Sequence, residues 1–509
     1  MMEQSSPTDK ATDTVSIRKT LHDRAICVII PTYNNVGTIA RVVKDALNYC
    51  DDVYVVDDGS NDGTHDVLAQ LKDIHLVAYP HNRGKGYALK QGFTQALKDG
   101  FAYAITMDAD GQHLAKDIPS FLDANKRWPG TLILGHRNLR GAKRPAGSKF
   151  ANSFANFWFF VETLHKVPDT QTGYRLYPLK KLYGYKLMTA RYEAELELIV
   201  FASWHGVKIM SIPVDVYYPP KEERVSHFRP GPDFLRISVL NTVLCCLAVV
   251  YGLPLFLYRT LATFLRSFLT AVFFSVVMLL FVTPFTWVYV HCGKMTEKKR
   301  WNLHLLMYHA ARLVTCHLGI PGIHFAFKKD PSVDFNKPSV IICNHQSHLD
   351  LAYLLSLTPK VIFLTNDWVW NNPFYGFLIR HAEYYPASQG IDNILPKFRS
   401  LVERGYSIAI FPEGTRSINC QIGPFHKGAF YVADELGIDV IPMMLYGTGR
   451  ALRKKSHVMK KSPVYLEVDR PYTQEQLKAI GDVRKQTHYF RRLYLSRFAE
   501  LSNKIEQDV

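Results

Sequence analysis

Between Ile237 and His291 the sequence has no Asp, Glu or Lys, and its only formal charges are Arg259 and Arg266. So long a stretch without charge excludes an ordinary solvated linker and reads as membrane-compatible. Other absences are equally useful. The eight Cys (27, 50, 245, 246, 292, 316, 343 and 420) form no CxxC and no Cys/His set at zinc spacing, so they are expected as reduced, mostly buried thiols. No GxSxG elbow is present, which argues against a serine hydrolase. The net charge is +16, yet Lys and Arg are spread along the chain and no zinc-finger, RNA-binding or basic-helix pattern occurs, so nucleic acid is not the expected partner. Residues 1–24 carry charges of both signs and lack the apolar core of a signal peptide; a loose polar tail is expected there.

What is present is organised around the apolar stretch. A chain of 509 residues suits two domains of about 200 to 250 residues and a connector. The stretch reads as a two-pass transmembrane hairpin, Ile237 to Tyr258 and Ser267 to His291, with the two Arg in the turn. Lys221, Arg224, Arg229 and Arg236 precede it, and Lys294, Lys298, Lys299, Arg300 and Arg312 follow it. Two passes with basic flanks place both polar halves on the cytoplasmic side. A buried or interfacial hairpin, helped by Pro254 and Pro284, is the alternative. The expected division is therefore 1–24 tail, 25–235 first domain, 236–292 hairpin and 293–509 second domain.

In the first half, apolar runs Ala25 to Ile30, Val53 to Val56, His75 to Tyr79 and Phe101 to Met107 alternate with helical patterns such as Thr38 to Asn48 and Lys85 to Lys98. Such alternation predicts an α/β fold with a parallel sheet, whose ligands bind at the strand C-terminal ends. Polar clusters fall at those ends. Asp108 and Asp110, one residue apart, can hold a divalent cation against a diphosphate, with Gln112 and His113 close enough to complete the shell. Asp57 and Asp58 can accept hydrogen bonds from a base and ribose. Asn82 to Gly86 is a Gly-rich turn opening a helix, where backbone N–H groups and Lys85 can meet phosphate.

The order of these clusters resembles the family 2 glycosyltransferases, in particular the dolichyl-phosphate mannose and polyprenyl-phosphate sugar synthases. The matching blocks are Pro31-Thr32-Tyr33-Asn34, Val56 to Ser60, Asn82 to Gly86, Asp108 to His113 and Asp169 to Arg175. The resemblance implies a GT-A, Rossmann-like domain that binds a nucleotide-sugar through Pro31, Tyr33, Asp57, Asp58, Lys85, Asp108 and Asp110. It also implies Mg²⁺ or Mn²⁺ held by Asp110 with Asp108 and His113, and transfer with inversion. Glu195 and Glu197, in Tyr192 to Leu198, sit where the family has an acidic pair before a helix; either can serve as base for a hydroxyl acceptor. Ser226 to Arg229 resembles a basic segment near the acceptor in relatives.

In the second half the strand Ser339 to Cys343 delivers Asn344 to Asp350. His345 and Asp350 lie little more than one helical turn apart, so the carboxylate can fix one imidazole nitrogen and leave the other as a general base. His348 is the rival base. A second strand, Ile408 to Phe411, ends at Pro412 to Ser417. With Gly376 to Arg380, Phe425 to Ala429 and Val440 to Pro442, this half resembles the glycerolipid and lysophosphatidate acyltransferases. The resemblance implies an α/β acyltransferase-like domain in which His345 activates a hydroxyl against an acyl thioester and Asp350 orients it. Arg380, Glu413, Gly414, Thr415 and Arg416 would bind the acyl acceptor.

The domain order resembles the fused glycosyltransferase–acyltransferases encoded with bacterial aryl-polyene and flexirubin-type lipids. That implies a bacterial inner membrane, a lipid or polyene-type acceptor, and acyl carrier protein or coenzyme A as thioester carrier. Sequential glycosylation and acylation of one acceptor is the economical expectation. Two unrelated activities sharing an anchor, or one half serving only as a binding module, are the alternatives.

Overall fold

The computed structural model describes residues 7–137, 146–217, 230–373 and 376–508. The chain forms two compact units, Met1–Arg259 with Glu506–Val509, and Thr260–Ile505.

In the first unit, β1 (Ile26–Thr32) and β2 (Val53–Asp57) are runs of β-branched residues, buried along their whole length as strands covered on both faces must be. They join β3 (His75–Ala78), β4 (Tyr103–Thr106), β5 (Leu132–Arg137), β6 (Arg175–Pro178) and β7 (Ile209–Val214) in the order β3-β2-β1-β4-β6-β5-β7. β1 runs parallel to β2 and β4, whereas β6 is antiparallel to β4 and β5, so the sheet is mixed rather than wholly parallel. The chain moves to opposite sides of β1 for β2 and β4, and the crevice beyond their C-terminal ends is the ligand position for such a sheet.

The expected loose tail is corrected: Pro7–Asp23 is a helix, with Leu21 buried and the Arg18 guanidinium 2.9 Å from Asp51 Oδ1. The two-pass hairpin is not confirmed. Gly231–His291 is one helical run of 61 residues, long and apolar enough to cross a membrane. The Arg259 to Arg266 segment contains no Gly or Pro and lies within the helix Leu253–Val276. π-helical turns at Ala248–Gly252 and Val277–Val282 immediately precede Pro254 and Pro284. A widened turn accommodates the ring and the missing N–H of proline, so the helix continues through both. Leu240 and Leu244 enter the first unit's core, while Phe256, Phe264, Phe273, Leu280 and Trp287 are exposed.

In the second unit, β8 (Ile323–Lys329), β9 (Ser339–Cys343), β10 (Val361–Thr365), β11 (Tyr385–Pro386), β12 (Ser407–Ile410), β13 (Asp439–Tyr446) and β14 (Ser462–Val468) take the order β11-β10-β12-β9-β13-β14-β8. β9, β10 and β12 are parallel, so their C-terminal ends share one edge. The final helix Val483–Asp508 docks on this unit through Phe490, Tyr494, Phe498, Leu501 and Ile505, spaced three and four apart. Its Tyr494 hydroxyl donates toward the carbonyls of Ile342 and Met443, tying the helix to β9 and β13.

Candidate active sites

The first site is stitched from loops before any ligand is considered. Asn34 N–H donates to Ser60 Oγ at 2.9 Å, and Asn61 N–H donates to Asn34 Oδ1 at 2.9 Å, joining the loops after β1 and β2. Pro31 is buried there and Tyr33 half-buried. Asp57 accepts from Ser60 N–H at 3.0 Å and pairs with His65 Nδ1 at 3.2 Å. Asp58 spends both oxygens on the Gly-rich turn, accepting from Arg83 and Gly84 N–H at 2.8 Å each. These bonds hold the carboxylate against the turn. Gly84 has φ +100, and a Cβ there would lie 2.7 Å from the Ala190 carbonyl oxygen. Only glycine closes that turn without strain.

Lys85, the first residue of the helix Lys85–Lys98, points its ammonium at carboxylates: Asp108 Oδ1 at 2.6 Å and Glu195 Oε2 at 2.7 Å. Burial works against its charge, but these two neighbours outweigh that and raise its pKa. Burial likewise opposes ionisation of Asp108, yet Lys85 and His113 hold it down to about 2. Asp110 is raised, by burial first and the Asp108 charge second. One carboxylate is thus compensated and its neighbour is short of a cation. The Gly173 Cα allows close approach here, since a Cβ would fall 2.5 Å from Asp108 Oδ2. Behind it, the buried Arg175 guanidinium donates to the carbonyls of Thr170, Thr172 and Glu195, fixing the Asp169 to Arg175 segment.

Of the expected metal ligands, His113 lies against Asp108, its Nδ1 3.9 Å from Oδ2. Asp108 N–H donates to His113 Nδ1 at 3.0 Å, so in a neutral ring the proton sits on Nε2. The same ring stacks on Tyr174 and lines a cavity of about 220 Å³ with Arg41 and Tyr217. No group of three or more His, Cys, Asp or Glu among the described residues is arranged to hold a metal. Asp108 and Asp110 still suit a hard cation, because two carboxylates one residue apart offer oxygen ligands.

The two candidate bases also separate. Glu197 is fully buried and accepts from Met188 N–H, Thr189 N–H and the Thr189 hydroxyl at 2.6, 2.9 and 2.5 Å. That carboxylate anchors a loop, which corrects its expected role as a base. Glu195 keeps Oε1 without a partner among the described residues. Lys221, Arg224 and Ser226 to Arg229 lie outside the described residues.

The second site follows from one motif. His345 Nδ1 is 2.8 Å from Asp350 Oδ2. That oxygen also accepts from Gln346 and Ser347 N–H at 2.7 and 2.8 Å, which fixes the carboxylate at the start of the helix Leu349–Leu355. The His345 ring stacks on Phe411 at 4.0 Å, and 16% of its side chain is exposed. Asn344 clasps Leu445 through both its amide groups at 2.8 Å, holding β9 against β13. His348 is pulled down by burial and then by Arg416, and its ring packs beside Trp368.

Glu413 is tied to the histidine's own loop. Its oxygens accept from His345 N–H at 2.8 Å and Gly423 N–H at 2.7 Å, so it positions the histidine's backbone. Burial pushes its carboxyl up. Gly414 adopts φ +64 at the turn, and Arg380 donates to the Trp370 carbonyl at 2.5 Å. Lys454 was not anticipated: it donates to Thr415 Oγ1 at 2.8 Å and the Arg416 carbonyl at 3.0 Å. It lies 109 residues beyond His345, where no motif marks it.

Residues 27–182 match the model of glycosyl transferase family 2, and residues 324–446 match that of the acyltransferases. The UDP-N-acetylglucosamine–dolichyl-phosphate N-acetylglucosaminyltransferase of Methanococcus voltae is 28% identical over 220 residues, covering 38% of this chain and 87% of that protein. The chloroplastic 1-acyl-sn-glycerol-3-phosphate acyltransferase BAT2 of Brassica napus is 37% identical over 127 residues, or 24% of this chain. The chain spans about a third of that relative's length (36%). Glucosyl-3-phosphoglycerate synthase from Mycobacterium tuberculosis, solved with Mn²⁺, UDP and phosphoglyceric acid, aligns at 18% identity and TM-score 0.36 over 46% of this chain and 82% of its own. The chain carries a glycosyl transferase family 2 domain in its first unit and an acyltransferase domain in its second, which makes it a fused transferase enzyme.

Proposed function

We propose that the first unit transfers a sugar from a nucleotide-sugar to a lipid-like acceptor with inversion, and that the second acylates a hydroxyl of the glycosylated product from an acyl thioester. The carrying observation is that one polypeptide holds two complete constellations, Lys85 with Asp108 and Glu195, and His345 with Asp350. Fusion raises the effective concentration of the first product at the second site.

In the first reaction Asp57 and the half-buried Tyr33 border the donor's nucleoside. Asp110 with Asp108 would hold Mg²⁺ or Mn²⁺, which when bound neutralises charge on the departing diphosphate. Lys85 supplies fixed positive charge in the same crevice and holds one Glu195 oxygen. The other, Oε1, takes the acceptor's hydroxyl proton as its oxygen attacks the anomeric carbon and the bond to diphosphate breaks.

In the second, Nδ1–H of His345 is held by Asp350, which leaves Nε2 as base. Nε2 takes the acceptor proton as the oxygen attacks the thioester carbonyl. The C–S bond then breaks and the thiolate recovers the proton. Coenzyme A or acyl carrier protein serves as the thiol.

The apolar helix attaches the enzyme to a bacterial inner membrane. Nucleotide-sugars and acyl thioesters are both cytoplasmic, so both units work on that face, with the apolar run returning to the side it left instead of crossing once. Cysteine labelling from outside would overturn this if it reached one unit only. The serial reaction is tested by mass spectrometry of lipids from cells carrying wild type, Asp110→Ala and His345→Ala. His345→Ala should accumulate a glycosylated species lacking one acyl group, and Asp110→Ala should lack both species. Changes in two unrelated lipid pools would mean two enzymes on one anchor.

A further inference from the structure

The acyl-transfer site has a third wall. β10 is parallel to β12, and β12 to β9, so the loop after β10 opens on the same edge as His345 and Glu413. Its residues Asn366, Asp367 and Trp368 are all exposed. Trp368 is 60% exposed although it is among the largest apolar side chains of the unit, and its ring lies 5.7 Å from that of His348 at 38°. His348 is three residues from the base. The Trp is held in place locally: Asn366 Oδ1 caps the short helix Asp367–Trp370 by accepting from Val369 N–H at 3.0 Å, and Ser388 Oγ donates to Asp367 Oδ1. The second Asp367 oxygen carries no hydrogen bond among the described residues.

An exposed indole beside an exposed carboxylate is an arrangement with a chemical preference. The C–H face of a pyranose is apolar and weakly positive, and it packs on the negative face of an aromatic ring. Its hydroxyls are donors, which suit a carboxylate acceptor. A phosphomonoester, by contrast, is repelled by Asp367, and Arg380 on this side already donates to the Trp370 carbonyl. Arg416 lies in the loop after β12 instead, and Lys454, from the segment after β13, donates to that loop.

We infer that Trp368 and Asp367 form a pyranose subsite, so that the acyl acceptor of the second unit is a sugar hydroxyl. This rests on the acyl-transfer reading above. A hydroxyl of the ring stacked on Trp368 loses its proton to His345 as its oxygen bonds to the acyl carbon. The C–S bond breaks, and the thiolate takes the proton.

The test uses the purified full chain in vesicles, an acyl-CoA donor, and two kinds of acceptor: alkyl pyranosides and lysophosphatidate. Wild type should acylate a pyranoside. Trp368→Ala should lower the pyranoside-to-lysophosphatidate ratio of kcat/KM at least tenfold, mainly through KM, and Trp368→Phe should restore most of it. Asp367→Ala should lower the same ratio about fivefold. His345→Ala abolishes turnover of either acceptor. A wild type that acylates lysophosphatidate alone, or a ratio that Trp368→Ala leaves unmoved, overturns the sugar subsite while the His345 result keeps the acyl-transfer reading. Acylation of neither acceptor overturns both.

Discussion

The two sites are built on opposite plans. In the second unit the reactive pair is local: His345 and Asp350 are five residues apart, and one carboxylate oxygen gathers the imidazole and two backbone N–H groups. In the first unit the central ion-pair chain runs Asp108–Lys85–Glu195, three residues brought together from beyond a strand end, the start of one helix and the first turn of another. The local site is set by one turn of chain. The other depends on the whole sheet, and its charges are satisfied by one another until a donor arrives. Local sites lose function through chemistry, whereas assembled ones lose it through misplaced neighbours as well.

That contrast is easiest to break at its strongest point. His345→Ala should cost about 10³-fold in acyl transfer, within the usual range for a general base, and leave glycosyl transfer unchanged. Asp350→Asn should cost about 10²-fold. Equal loss of both activities in either variant would mean that the sites are not separate.

Lys85→Met comes next, with an expected loss of about 10²-fold in glycosyl transfer through removal of fixed charge in a buried crevice. It carries a signature that simple misfolding lacks. Lys85 is the leading charge holding Asp108 low against burial, so its loss should move the acid limb of the pH–rate profile upward. An unmoved limb would show that Asp108 does not govern that limb.

Glu195→Gln and Glu197→Gln then divide catalysis from scaffold. The first should lower kcat on a hydroxyl acceptor by about 10²-fold with little change in Tm. The second disturbs three hydrogen bonds to a buried carboxylate and should cost about 1 to 3 kcal/mol of stability, with kcat of the folded enzyme retained. The reverse pattern would exchange their roles.

How far the sequence could be read follows the same division. β1, β2 and β9 are contiguous β-branched runs buried on both faces, and such runs announce themselves. β6 escaped notice because it is four residues long and follows the polar Asp169 to Gly173 segment. The His345–Asp350 pair was legible since spacing alone brings the groups together. Lys85 was recognised as a site residue but given a phosphate partner, because no local pattern encodes its pairing with Glu195, 110 residues on. The backbone partners of Glu413 and Asp58 are equally illegible, because they lie in distant loops. Arg259 looked like the charge of a turn between two passes, yet its guanidinium donates to the Trp204 carbonyl at 3.1 Å. A tertiary partner explains that charge without a turn.

The smallest effect sharpens the comparison away from both sites, where burial strongly shifts one acid in the first unit and one imidazole in the second. In the first unit, burial pushes the Glu162 carboxyl up to about 8, and neither of its oxygens has a partner among the described residues. In the second, burial pulls the His304 imidazole down to about 4, with a backbone hydrogen bond to Ala382 partly opposing. The signs are opposite. Glu162 binds its proton more tightly when folded, so its contribution is complete below about pH 4.5 and is lost as pH rises through 8. His304 binds its proton less tightly when folded, so its contribution is complete above about pH 6.5 and is lost as pH falls through 4. Calorimetry across pH should therefore find the first unit failing toward alkali and the second toward acid, by a few kcal/mol each. Glu162→Gln should flatten the alkaline slope and His304→Gln the acid one. If both variants alter the same limb, the two groups are coupled and the units do not carry separate pH limits.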